Sequence, residues 1–140
     1  MYSLSANSTN ITGLTVPANI PFNNIVSQNG NCACGNNFAT GSTNVSLNQP
    51  GTYRVTFNAN ITGTAAGVVT FQLLNNNVAV PGALASVTTA ADSVYNAGFS
   101  TIIKVNRSCA CQNNTANLQV QLQTTTATLS NANITVQRIC

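Results

Sequence analysis

Residues 50–61 read PGTYRVTFNANI, and after the Pro-Gly pair the apolar residues Tyr53, Val55, Phe57, Ala59 and Ile61 alternate with Thr52, Arg54, Thr56, Asn58 and Asn60. Successive side chains of a β-strand point to opposite faces, so this period of two describes a strand with one side in a core and the other in water. A helix would need apolar residues every three to four positions, and no stretch of the chain supplies that spacing.

The same alternation returns in Tyr95, Ala97, Phe99, Thr101, Ile103 and Val105, in Val69, Phe71 and Leu73, and in Leu118, Val120 and Leu122 set between Gln119, Gln121 and Gln123. Shorter strands are expected at residues 2–6, 20–26, 38–39, 45–47, 78–80, 84–87 and 134–139. Pro21 marks residues 20–26 as an edge strand, because proline cannot donate to a ladder. Asn75-Asn76-Asn77 reads as a tight turn, since asparagine tolerates left-handed backbone, and Pro81-Gly82 reads as a break between two strands. Eight to ten short strands with frequent turn signals indicate an all-β sandwich or barrel. Residues 1–140 suffice for one domain with a real core.

Charge is nearly absent. Arg54, Lys104, Arg107 and Arg138 are the cations, Asp92 is the lone anion, and there is no Glu, His or Trp. Four scattered cations make no nucleic-acid footprint, which needs clustered Lys and Arg. Paired carboxylates, a His-based triad and a carboxylate metal cage cannot be assembled from this inventory. Asp92, in TTAADSVY, suits turn duty, and Lys104 falls among the polar positions of an alternating strand. The chain is therefore expected to be no enzyme and to need no cofactor. No apolar run approaches the length that spans a bilayer, and MYSLSANSTN lacks the basic start and apolar core of a Sec signal peptide. Asn-x-Ser/Thr triplets recur, but a chain this rich in Asn, Ser and Thr contains them by composition alone.

Four segments in this order, PFNNIV, PGTYRVTFNANI, FQLLNNNVAVPGALAS and NANITVQRIC, span most of residues 20–140. They resemble the C-terminal globular domain of collagen-like exosporium proteins from spore-forming Firmicutes. That domain belongs to the jelly-roll superfamily of complement globular heads and tumour necrosis factor. The chain also resembles Asn/Thr/Ala-rich, Cys-bearing surface or appendage proteins of gut Clostridia and their phages. The resemblance implies a ten-strand, TNF-like jelly-roll sandwich packed as a homotrimer, with aromatic and aliphatic residues at the threefold interface. The collagen-like Gly-x-y stalk of the family is missing from this sequence.

Five cysteines stand as Cys32-Ala33-Cys34, Cys109-Ala110-Cys111 and Cys140. Both C-x-C pairs sit in Asn/Gly-rich loops, and in a jelly roll of this kind Cys109, Cys111 and Cys140 share a pole that Cys32 and Cys34 can join. Intramolecular disulfides are one reading, although geometry disfavours a bridge within either pair. Inter-subunit cross-links are another, because an odd count leaves one thiol over and Cys140 is free to reach a neighbour. A thiolate metal site is the weakest, since zinc favours C-x2-C spacing and no His is present.

These features point to a non-enzymatic structural protein that assembles with itself in an extracellular surface layer, a spore coat, exosporium or appendage fibre, stabilised by cysteine cross-links. An edge strand at residues 2–6 would suit pairing with a neighbour by β-addition. The alternatives are a phage virion decoration or fibre-head protein and a carbohydrate-binding module. A sugar site would have to rely on Tyr2, Tyr53, Tyr95 and amides. The expected partner is the chain itself, beside a glycan or surface layer; nucleic acid and membrane are not expected.

Overall fold

The computed structural model describes residues 2–11, 16–29, 38–40, 43–106, 115–124 and 127–140. These form eleven β-strands and no helix: β1 (Ser3–Ile11), β2 (Ala18–Asn19), β3 (Asn24–Asn29), β4 (Phe38–Thr40), β5 (Val45–Leu47), β6 (Gly51–Gly63), β7 (Gly67–Asn75), β8 (Val78–Thr89), β9 (Val94–Val105), β10 (Ala116–Leu122) and β11 (Ala127–Arg138). Ten of them make two antiparallel five-strand layers, β3-β1-β11-β6-β9 and β4-β5-β10-β7-β8. The two-residue β2 pairs with the end of β10. This is the expected all-β jelly-roll sandwich.

The alternation in the sequence becomes burial. Tyr53, Val55, Phe57, Ala59 and Ile61 are fully buried, whereas Arg54, Asn58 and Asn60 are exposed on the other side of β6. Phe57 knits the layers together. Its ring lies 5.3 Å from Phe71 of the opposite sheet, 5.3 Å from its cross-strand partner Phe99, and 6.5 Å from Phe22, which meets it edge-on. Aromatic pairs of this kind are each worth about 1 kcal/mol beyond the area they bury.

Two expectations about individual strands are corrected. Residues 2–6 were expected at an edge, but β1 runs between β11 and β3, so its backbone is paired on both sides. The edge is β3, which forms downstream of Pro21 and shields β1. The break expected at Pro81-Gly82 is a bulge inside one continuous strand. Pairing passes from Gln72↔Leu84 to Leu74↔Ala79, so residues 80–83 of β8 face the single residue Leu73.

Pro81 is tolerated because β8 is an outer strand, and Gly82 takes the left-handed φ of 77° that the bulge requires. Gln72 completes it. Its side chain is buried, and Nε2 donates to the carbonyls of Leu73, Val80 and Ala83 at 3.0, 3.0 and 3.2 Å. Those carbonyls would otherwise be left unpaired away from water. The Asn turn forms as expected, with Asn76 and Asn77 at φ 51° and 64°.

Candidate functional site

The titratable groups stand apart. Asp92 is exposed in the turn before β9 at φ 58°, and its N–H donates to the Gly63 carbonyl at 2.9 Å, which is turn duty. Lys104 is exposed near the far end of β9, opposite Thr52. The strand from Val94 to Lys104 separates the two by about 33 Å, so they cannot act on one atom.

One pole of the sandwich collects Cys140 and the residues that flank the other cysteine-bearing segments. Cys32, Cys34, Cys109 and Cys111 lie outside the described residues, but the residues flanking them do not. Asn29 pairs with Ser3, and Phe38 pairs with Leu47, which also faces Ala116. Val105 pairs with Gly51, and a crevice of 390 Å³ is shared by Lys104, Asn106, Thr115 and the Asn75-Asn76 turn. Cys140 is fixed at this same pole with its thiol exposed and unbridged.

A clip of backbone bonds holds Cys140 there. Its carbonyl accepts from Thr52 N–H, and Ile139 N–H donates to the Thr52 carbonyl, both at 2.8 Å. Arg138 braces the clip: Nη2 donates to the Pro50 carbonyl at 2.8 Å, and the guanidinium sits 5.4 Å over the Tyr2 ring. Residue 51 must be glycine for this approach, because a Cβ would lie 2.7 Å from the Cys140 carbonyl oxygen. Beneath the clip, Tyr53 Oη donates to the Gln49 carbonyl at 2.7 Å. Burial pushes the Tyr53 phenol above its ordinary value near 10, and the charge of Arg138 partly offsets that rise.

The middle of the outer face of the β3-β1-β11-β6-β9 sheet is a lattice of small uncharged polar groups, with the exposed Arg54 and Lys104 nearer the Cys140 end. One row across five strands is Ser27, Ser5, Thr135, Thr56 and Ser100, and the next is Asn24, Asn7, Asn133, Asn58 and Gly98. Neighbours bond to each other, as in Asn24 Nδ2 to Asn7 Oδ1 at 3.0 Å and Asn96 Nδ2 to Asn60 Oδ1 at 2.8 Å. No aromatic residue belongs to these rows. The large exposed aliphatics stand mainly at the two flanks, Ile25 and Val26 on β3, and Val78, Leu84, Val94 and Ile102 on β8 and β9. Sequence reading singled out none of these flank residues, since an exposed Val and a buried Val are spelled alike.

The three tyrosines do not form a sugar platform. Tyr53 is fully buried, Tyr2 is half-buried under Arg138, and half-buried Tyr95 accepts the Ala90 N–H on its hydroxyl at 2.9 Å.

The sequence matches no family model and no curated protein. Its structure is similar to solved ones over nearly the whole chain. The globular domain of zebrafish complement 1qA matches with a TM-score of 0.73 at 10% identity, covering 100% of this chain and 98% of that one. Eiger TNF from S. frugiperda matches at 0.64 and 12% identity, covering 100% and 94%. The PRD1 vertex protein P5 matches at 0.61 and 17% identity, covering 99% and 97%. At such identities the likeness establishes the fold, a jelly roll of the complement-head and tumour-necrosis-factor kind.

Proposed function

We propose that the chain is a non-enzymatic structural subunit that assembles as a homotrimer into an extracellular surface layer of the spore-coat, exosporium or appendage type. Cysteine cross-links lock the assembly. The observation that carries this reading is the cysteine pole. Cys140 is held rigidly with its thiol in solvent, at the same end of the sandwich as the flanks of both C-x-C segments. A thiol exposed at the tip of a rigid body can reach a neighbour. Cys32, Cys34, Cys109 and Cys111 supply partners for it, within one chain or between chains. The near-uncharged surface supports close packing of copies, because few ions must be desolvated.

Likeness to the PRD1 vertex protein favours a second reading, a virion fibre head or decoration. Antibody labelling of intact spores and of phage particles separates the two by which particle carries the signal.

Electron micrographs and gels of the full chain, with and without reductant, test the main reading. The expected result is oligomers or filaments that resist heat and detergent until reduced. A monomer band without reductant overturns the cross-linking, and a monodisperse monomer at high concentration overturns the assembly.

A further inference from the structure

Cations that lie scattered along the sequence meet in the fold. Three consecutive rungs of β6 gather them: Thr52 pairs with Lys104, Tyr53 pairs with Arg138, and Arg54 itself lies between Gln137 and Ile102. Neighbouring strands lie about 4.8 Å apart and residues rise about 3.3 Å, so the three backbone positions fall within about 10 Å. Arg54 and Lys104 are exposed on one outer face, and half-buried Arg138 stands at its rim over the Tyr2 ring. No acidic side chain is near. Asp92, the sole acid of the chain, stands at the opposite pole about 33 Å from Lys104, some four Debye lengths at physiological salt. The surface around the cations is made of amides and hydroxyls. Thr52 and Gln137 share their rungs, the hydroxyl row of Thr135, Thr56 and Ser100 comes next, and the 390 Å³ crevice beside Lys104 adds Asn106.

We infer that this patch binds an acidic glycan, with its carboxylate or phosphate groups on Arg54 and Lys104 and its sugar hydroxyls on the neighbouring amides and hydroxyls. The cations select the anion. A guanidinium offers an oxyanion two parallel hydrogen bonds, and the lysine ammonium adds a second positive point beside it. The polar surroundings select the sugar over a nucleic acid. Single strands are held by aromatic rings on which bases stack, and duplexes by longer cationic tracks; the ring beside these cations, Tyr2, is already covered by Arg138. The inference names a partner for the surface-layer role proposed above. It needs only one copy of the chain, so its failure leaves self-assembly untouched.

Binding of the full chain, kept in reductant, to immobilised polygalacturonate and to phosphorylated mannan is the test. Retention on at least one of them, weakening as salt rises, is expected, with none on neutral mannan. Retention on one acidic polymer and not the other assigns the anion as carboxylate or as phosphate. Arg54→Gln and Lys104→Gln are each expected to lower the association constant about threefold, and the double variant about tenfold, the scale of exposed charge contacts. Both side chains are exposed, so the circular dichroism stays that of the wild type. Asp92→Asn, at the other pole, leaves binding unchanged. Absence of binding to both acidic polymers overturns the inference, and so does a double variant that binds like the wild type. Equal retention on neutral mannan removes the anion from the recognition. Equal retention on single-stranded DNA shows that the patch reads charge alone and that the glycan is wrong.

Discussion

At the scale of single residues, Tyr53 couples the core to solution pH. Its phenol is held neutral in the folded chain above the value it would have unfolded, so its contribution to stability is complete below pH 10. That contribution is lost as the pH rises through the folded value. Tyr53→Phe is expected to cost about 1 kcal/mol at neutral pH, from the lost bond to Gln49. Denaturant melts at rising pH should show the wild-type advantage shrinking above pH 10; a constant gap would rule the coupling out. Gly51 is constrained by its own positive φ of 156° and by Arg138 Nε and the Cys140 carbonyl, both of which a Cβ would crowd. Gly51→Ala is expected to spring the terminal clip, so that the Thr52 amide exchanges hydrogen faster while the Phe57 amide does not. Unchanged exchange at Thr52 would mean that the clip yields elsewhere.

At the scale of the element, β8 shows how a strand survives a proline and a left-handed glycine in its interior. The bulge removes residues 80–83 from the ladder, and Gln72 takes up the carbonyls that the ladder no longer serves. Gln72→Leu keeps the volume and removes the donor. It is expected to destabilise the fold by about 1–3 kcal/mol, the cost of buried polar groups left unpaired, read as a lower denaturant midpoint. An unmoved midpoint would show that water reaches the bulge. The edge position of β3 is a property of the sheet as a whole. The opening strand β1 looks equally exposed on paper and is paired on both sides in the fold.

At the scale of the whole molecule, the sandwich separates three surfaces. The middle of one sheet face is an amide and hydroxyl lattice, the two flanks carry exposed aliphatics, and one pole holds Cys140 beside the flanks of the other cysteines. The expected loss of detergent resistance on reduction tests the pole, and gels of the full chain with and without reductant read it.

The all-β class and the turn role of Asp92 were legible in the chain itself, because alternation and turn chemistry are local and each residue carries its own signal; alternation left sandwich and barrel open, and the jelly roll was implied only by the resemblance of four segments to a known family. The residues of the long central strand, from Tyr53 to Ile61, announced their faces one by one. The bulge at Gly82, the buried duty of Gln72 and the aliphatic flanks were decided only when distant segments met. A carbonyl is orphaned, or a valine left in water, by what lies across the sheet, and nothing in the residue's own neighbourhood of sequence records that.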